Sequence, residues 1–549
     1  MPQKARFSLF VLAILCAAPA LAAAVCATRF QTPRSVVTIL LVTALEAILI
    51  AALTRTWRRF FLANFFVFLL SVAFTAYTLW FGVPPGRHLA MTLVSTSWEE
   101  VVGFVSLSQG RTILLACVLL PLLFIFLTLR LPNVSMFSGK PLIVAGRTLT
   151  RSRIMLILCL PVTAYAAWNP ADLIDGIAYN PVIGSAMFLG GQIPRARADA
   201  RGALLMKVPY RAQRVGGEEV HILVIGESAR RESWSAYGYG RITTPHLDSL
   251  KSATILLQNA VADANLTAWS VPVILTGMTP DQLDSTPVRG NLLDLAKEAG
   301  YSTTWLLNQD IGISHFVGVH ADHLTYSQEI ETSLFGRRTL DETLLPAYRN
   351  EMARPGSPRF IGVHIMGSHW EYKHRYPESF QRFGDARRIG ALPMFTTKEN
   401  ASQSVVDAYD NTILYTDWFL YQLIQAAQAL QVPATLTYFP DHGEDLQLLD
   451  GDEGHGGPKY TPHVFEIPAF IWMNAAYRRE HPQKVAALQA NASREIRSHD
   501  VFNTVADLMG IKWPQFVAQR SFASEQFTPD STTPLLAGSQ LVSRPTPTQ

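Results

Sequence analysis

Charge is spread very unevenly along this chain, and that alone restricts its architecture. Residues 1–168 contain fourteen Lys and Arg but only three acids, Glu46, Glu99 and Glu100, which leaves 32 of the 46 bases and 40 of the 43 acids to the rest. Over all 549 residues, 16% are charged and 49% apolar, against about 25% charged in an ordinary globular protein. A basic, apolar front joined to an acidic, ordinary back excludes a disordered chain, a simple soluble protein and a nucleic-acid binder with a basic domain face. No nucleic-acid partner is expected.

The front reads as a bundle of five transmembrane helices, since a crossing needs about 20 apolar residues and residues 7–27, 35–53, 60–83, 112–129 and 150–168 offer such stretches. The second carries only Glu46 and the fourth contains Pro121, which membrane helices tolerate. In the fifth, Arg151 and Arg153 lengthen a short apolar run by reaching the headgroups. The first also has the basic start (Lys4, Arg6) and Ala-rich tail of a cleaved signal. Its apolar run exceeds the roughly 7–15 residues of a signal core, which favours a retained helix. Both readings start inside. That orientation puts ten Lys and Arg on the cytoplasmic side, against only Arg29, Arg34, Arg87 and Arg111 outside. Five crossings then place everything after Trp168 outside the cytoplasm. Glu46 within a helix must face protein or a polar cavity, for packing or for function. All four cysteines, Cys16, Cys26, Cys117 and Cys159, lie in or beside the apolar stretches. The outer part therefore relies on its own core rather than on disulfides.

Residues 169–218 read as a connector along the membrane surface, 219–525 as one α/β domain and 526–549, rich in Pro, Ser and Thr, as a flexible tail. Short apolar runs predict strands over 220–225, 303–307, 360–364, 434–439 and 469–473. Helices are predicted over 291–299, closed by Gly300, and over 406–430, where Leu414, Trp418, Tyr421 and Ile424 recur at helical spacing. Buried strands alternating with helices imply a mainly parallel sheet covered on both faces.

Ligands collect at the carboxyl ends of such strands. The first strand runs out into Gly226-Glu227-Ser228, the third into His364 and His369, and the fourth into Asp441-His442-Gly443-Glu444, with His455 in a Gly-rich loop. Singly these residues are unremarkable: a strand-end acid usually caps a turn, a loop His is usually solvated, and Glu444 and Asp445 suit the first turn of a helix. Together they leave one sheet edge from three strands, and carboxylate plus imidazole without thiolate suits Zn2+. The outer part has no cysteine, which excludes a formylglycine-type nucleophile made from that residue. Candidate hydroxyls lie in residues 265–272, NLTAWSVP. This segment reads either as a loop leading into a helix capped by Ser270, or as a hydroxyl facing the N–H groups of a helix start, where a phosphate is favoured.

The strings GESARRESWSAYGYGRITTPHLDSL (226–250), LTAWSVP (266–272), WLLNQ (305–309), HIMGSH (364–369), YDNTILYTDWFL (409–420) and YFPDHGEDL (438–446) resemble the membrane-anchored phosphoethanolamine transferases of Gram-negative envelopes, within the alkaline phosphatase and sulfatase superfamily. The resemblance covers the five-helix anchor and residues 220–473. It implies an alkaline-phosphatase-like α/β/α sandwich in the periplasm, held to the bacterial inner membrane and acting as a monomer. Carried over by position, it implies one zinc on Glu227, Thr267, Asp441 and His442, with Thr267 as nucleophile. It implies a second metal or the substrate phosphate at His364, His369 and His455, and contact of Asn308 with the transferred group. Phosphatidylethanolamine would be the donor, and a lipopolysaccharide (core heptose or lipid A) or another envelope glycan the acceptor. Lipid A-modifying members carry a disulfide flanking the nucleophile where this chain has Asp263 and Val273, a departure that points towards the core-heptose branch. A phosphoglycerol transferase or phosphodiesterase of the same superfamily would share the threonine and the zinc ligands. An inactive membrane scaffold or sensor would hold no zinc.

Overall fold

The computed structural model describes residues 3–29, 33–54, 56–81, 90, 108–136, 143–144, 147–148, 181–194, 209–285, 290–309, 318, 320–327, 339–356, 358–369, 372–384, 398–446, 454–457, 460–538 and 540–544. The chain forms two compact units, one drawn from residues 1–91 and 101–196, the other containing 197–549.

In the first unit the described helices are α1 (Gln3–Arg29), α2 (Pro33–Leu53), α3 (Trp57–Phe81), α4 (Ser108–Leu129) and the short α5 (Pro181–Met187). The first four coincide with expected crossings, and the fifth expected crossing, 150–168, lies outside the described residues. By length and apolarity, Gln3–Ala24 and Trp57–Tyr77 suffice to cross a bilayer, while Ile39–Ala51 and Leu114–Leu129 are shorter apolar stretches. Leu12, Phe61, Phe68, Phe124 and Leu127 join α1, α3 and α4 in one core, with Phe68 stacked on Phe124 at 4.7 Å between ring centroids. Phe7, Phe10, Phe66 and Leu122 point outward, a surface suited to lipid rather than water. Residues 181–192, expected within a surface connector, are helical, and Ser185 Oγ donates to the Leu70 carbonyl of α3 at 3.4 Å.

The second unit is built on a mixed sheet of β1 (Val220–Gly226), β2 (Thr254–Val261), β3 (Ser302–Leu307), β4 (His323–Tyr326), β5 (Arg359–His364), β6 (Ala434–Pro440), β7 (Glu466–Met473) and β8 (Glu495–Arg497). Their spatial order is β8-β2-β7-β6-β1-β5-β3-β4, and β7 alone runs against the rest. Alternation along β1 shows why both faces are covered. Leu223 and Ile225 enter one core with Trp305, Leu307 and Phe439, while Val220, Ile222 and Val224 enter the other with Trp234, Tyr438 and Trp472. Helices α6 (Thr267–Thr276), α7 (Leu292–Glu298), α8 (Leu345–Ala353), α9 (Lys398–Gln428) and α10 (Asp500–Leu508) pack around it. The Asn291 side chain accepts the N–H groups of Leu293 and Asp294, and Asp294 accepts that of Asn291, a reciprocal cap that starts α7 where the sequence predicts it.

Two expectations fail here. Residues 535–542 are not a flexible tail: β9 (Leu535–Ala537) pairs with β10 (Gln540–Val542), and Leu535 and Ala537 are buried against Val261, Val464 and Phe465. Polar composition concealed two short apolar positions that dock. Nor does Ser270 cap a helix. Helix α6 begins at Thr267 after an extended Leu266, and Ser270 Oγ donates back to the Ala264 carbonyl at 2.8 Å.

The loop that leads into α6 is anchored by Asp263, which is fully buried. Its carboxylate takes Arg497 Nε at 2.7 Å and Nη2 at 2.5 Å, the His499 backbone N–H at 2.8 Å, and lies 2.8 Å from His499 Nδ1. Burial alone would raise this carboxyl; the charges of His499 and Arg497 and the hydrogen bonds from His499 overrule it and hold it well below the ordinary range.

Two outcomes are expected from this packing. Gly362 on β5 leaves room for the indole of Trp305, since a Cβ there would sit 2.0 Å from Cε3. Gly362→Ala should cost about 1–3 kcal/mol or more, read as a lowered unfolding temperature of the full chain in detergent. Asp263→Asn should cost about 3–5 kcal/mol by stranding a buried cation. Because the native carboxyl titrates below its unfolded value of about 3.9, the wild type's advantage should be constant above about pH 5 and shrink as pH falls below about 4. Denaturant titrations of both proteins across that range check the sign.

Candidate active site

β1 and β6 are parallel neighbours paired residue by residue up to Gly226 and Pro440. The residues that follow, Glu227 and Asp441, therefore leave the same edge side by side. Glu227, Asp441 and His442 are fully buried, and one ligand atom from each lies within 4.8 Å of the others. The first residue of α6 completes the group: Thr267 Oγ1 is 3.2 Å from Glu227 Oε2, 3.5 Å from Oε1 and 3.5 Å from His442 Nε2.

Local structure fixes each of these atoms. Ser228 adopts the left-handed conformation (φ +52°), uncommon for a residue with a side chain. That turn lets its N–H reach Asp441 Oδ1 at 3.1 Å and its hydroxyl reach Glu227 Oε1 at 2.8 Å, while its carbonyl accepts the Tyr409 hydroxyl at 2.7 Å. Gln309 Nε2 donates to Glu227 Oε2 at 3.1 Å and to the Ile365 carbonyl at 2.8 Å. His442 Nδ1 donates to the Gly443 carbonyl at 2.8 Å, which sets Nε2 as the acceptor nitrogen turned towards the carboxylates.

The electrostatics of the group favour a cation. Burial, and then the charge of Asp441, push Glu227 well above the usual carboxylate range, and burial raises Asp441 as well. Burial drives His442 well below its usual value. Asp441 Oδ2 makes no hydrogen bond that meets ordinary geometry, with the Thr267 hydroxyl and His442 Nε2 (3.3 Å) as its neighbours. Two dry carboxylates, an imidazole lone pair and an orphaned oxygen converging on one point fit a divalent ion with nitrogen and oxygen ligands.

The other expected residues form a second tier. His455 lies against His442 with ring centroids 4.2 Å apart and the planes inclined at 36°, and its Nδ1 lies 3.0 Å from Glu444 Oε2. Glu444 is thus the orienting partner of His455 and not a first-turn acid, since no helix starts at 444 among the described residues. His369, 6.4 Å from His455 between ring centroids, has its Nδ1 3.3 Å from Arg375 Nη2. His364 is buried at the end of β5, where burial lowers it to about 4. Asn308, expected beside the transferred group, is held by hydrogen bonds within the chain. Its Nδ2 donates to Asp341 Oδ1 at 2.7 Å and its Oδ1 accepts the Thr339 hydroxyl at 2.8 Å, while Asp341 receives the N–H groups of Met366 and Gly367. Asn308 braces the turn that presents His369. Its neighbour Gln309, which the sequence reading passed over, touches Glu227 instead. The signal for it was its position just beyond β3 on the same edge.

The sulfatase family profile matches residues 220–511. Over 316 residues the chain is 28% identical to "Phosphoethanolamine transferase EptC" of Escherichia coli (strain K12), covering 56% of this chain and 53% of that protein. To "Phosphoethanolamine transferase EptA" of Salmonella typhimurium it is 30% identical over 315 residues, 54% of each. It thus spans about half the length of the curated relatives it matches. Among solved structures, the C-terminal periplasmic domain of EcEptC from Escherichia coli in complex with Zn matches with a TM-score of 0.54 and 25% identity, covering 60% of this chain and 94% of that one. The integral membrane protein lipooligosaccharide phosphoethanolamine transferase A (EptA) from Neisseria meningitidis matches in fold with a TM-score of 0.67 and 20% identity, covering 94% of this chain and 97% of that one. With its profile matched over more than half its length, the chain belongs to the sulfatase family, in the company of phosphoethanolamine transferases.

Proposed function

We propose that this protein transfers phosphoethanolamine from phosphatidylethanolamine to a lipopolysaccharide or another envelope glycan, through a covalent intermediate on Thr267. The observation that carries this reading is the Thr267 hydroxyl at a helix start, within 3.5 Å of Glu227 and His442. The names of its relatives supply the group transferred, and the zinc of the EcEptC domain supplies the metal. Glu227, Asp441, His442 and Thr267 would hold one zinc ion, which when bound lowers the pKa of the Thr267 hydroxyl and offsets charge on the phosphoryl oxygens.

The remaining steps belong to the chain's own side chains. Thr267 Oγ1 forms a bond to phosphorus as the bond to the diacylglycerol oxygen breaks. The N–H groups at the start of α6 face the phosphoryl oxygens. Arg375 donates to His369 Nδ1, so the ring proton resides on Nε2, suited to hydrogen-bonding an oxygen of the transferred phosphoryl group. Glu444 accepts from His455 Nδ1, which makes Nε2 the nitrogen that takes the Thr267 proton and gives it to the leaving diacylglycerol oxygen, then takes the proton of the acceptor hydroxyl and returns it to Thr267 Oγ1 as that hydroxyl displaces it. Each half-reaction thus moves one proton from the attacking to the departing oxygen and returns His455 to its starting form, and the exchange is ping-pong. The apolar helices α1–α4 hold the chain in the bilayer that contains the donor lipid, as a multi-pass inner-membrane monomer with its catalytic domain in the periplasm.

Incubating the full chain in detergent with labelled phosphatidylethanolamine or phosphatidylglycerol, followed by peptide mass spectrometry, tests the donor. A phosphoethanolamine adduct on Thr267 is expected from the first; a glycerophosphate adduct from the second, and none from the first, overturns the assignment. Thr267→Ala should lower turnover by at least about 1,000-fold with zinc still bound. Glu227→Gln should abolish stoichiometric zinc, and Gln309→Ala should weaken zinc by about 10- to 100-fold through the loss of an outer partner of Glu227, read by competition with a chromogenic chelator.

A further inference from the structure

The C-terminal hairpin lies against the nucleophile loop. Leu536 bridges Ala264 as a parallel partner: its N–H donates to the Asp263 carbonyl at 2.8 Å, and its carbonyl accepts the Asn265 N–H at 3.2 Å. The Asn265 side chain, buried, extends this contact in two directions. Its Nδ2 donates to the Gly457 carbonyl at 2.8 Å, and its Oδ1 accepts the Gly538 N–H at 2.8 Å. One amide thereby joins three segments: the loop two residues before Thr267, the loop two residues after His455, and the turn of the hairpin.

Glycines make the close approach feasible. Gly538 has φ +57°, and a Cβ there would lie 3.0 Å from the Gly456 carbonyl; Gly456 has φ +81°, and its Cβ would meet Leu266 at 3.0 Å. The hairpin also fills a small apolar cluster with Val464 and Phe465, the residues that follow the His455 loop. Glu227, Asp441 and His442 hang from β1 and β6 and make none of these contacts.

We propose that Asn265, backed by the hairpin 535–542, is a positioning residue that fixes Thr267 relative to His455 without taking part in metal binding. This rests on the reading of Thr267 as nucleophile and His455 as its proton partner. The physical reason is register. The ion site and the nucleophile come from different parts of the sheet edge, and a misplacement of 1 Å between reacting groups can cost about 100-fold in rate. Hydrogen bonds on both ends of one buried amide confine two loops that carry no disulfide.

The test uses the full chain in detergent, loaded with zinc, in three forms: wild type, Asn265→Leu, and a chain ending at Thr533 so that the Asp530 and Thr533 carbonyl contacts to Arg497 remain. Turnover is expressed per zinc-loaded, folded molecule. Both variants should lose about 10- to 100-fold in kcat, with KM for phosphatidylethanolamine and zinc content within about twofold of wild type and faster amide exchange at residues 454–457. Unchanged kcat per zinc-loaded molecule, with only a lower unfolding temperature, overturns the proposal, and so does loss of zinc. If neither variant folds, amide exchange of wild type decides: Leu536 and Gly538 N–H groups as protected as those of β1 uphold the clamp, and rapid exchange refutes it. Thr267→Ala runs alongside. An active Thr267→Ala defeats the nucleophile assignment itself, whereas an inactive one beside a normal Asn265→Leu defeats only the clamp.

Discussion

Two carboxylates buried side by side are an unstable arrangement, and the catalytic unit is organised around holding them. Parallel pairing of β1 with β6 delivers Glu227 and Asp441 to one edge in register, and water is excluded from both. Such a pair resists ionisation unless positive charge arrives. The strained Ser228 turn, the Gln309 amide and the Gly443 carbonyl orient the group; none of them neutralises it. A divalent ion would answer that geometry, and on the proposed reading it would activate the threonine hydroxyl that lies within reach of the same point.

The sheet edge was legible in the sequence because strands covered on both faces read as apolar runs. The run 220–225 and β1 agree to one residue, and the residues that follow such runs are the ones that converge. What escaped were strands whose burial is incomplete or whose length is minimal. β2 begins with three half-exposed residues and carries Gln258 and Asn259, while β4 and β8 are short and polar. The start of α6 was ambiguous between Thr267 and Ser270 because its cap is Leu266, a residue with no capping side chain. Only the backbone conformation decides that case.

Asn308 and Gln309 show a second limit. Both are amides, adjacent, at the end of one strand. The alternation of side chains sends one to Asp341 and the other to Glu227. Sequence can place an amide at the right edge; it does not say which of two neighbours faces the acid. The resemblance singled out Asn308 for contact with the transferred group and was silent on Gln309; the hydrogen bonds of Asn308 run to Asp341 and Thr339.

The same reasoning explains how a cysteine-free domain keeps a mobile kind of structure, the loop bearing the proposed nucleophile, in fixed register. Beside the loop that carries Thr267, Asp263 enters a buried ion pair with Arg497 and His499. A disulfide restrains chiefly the unfolded chain, whereas a buried ion pair acts in the folded state and fails severely when one member is removed. That difference makes the loop depend on its surroundings staying folded. β8 supplies Arg497, the segment before α10 supplies His499, and the hairpin supplies Leu536 and Gly538. The last residues of the domain are therefore tied to its chemistry by hydrogen bonds, although their composition is that of a tail.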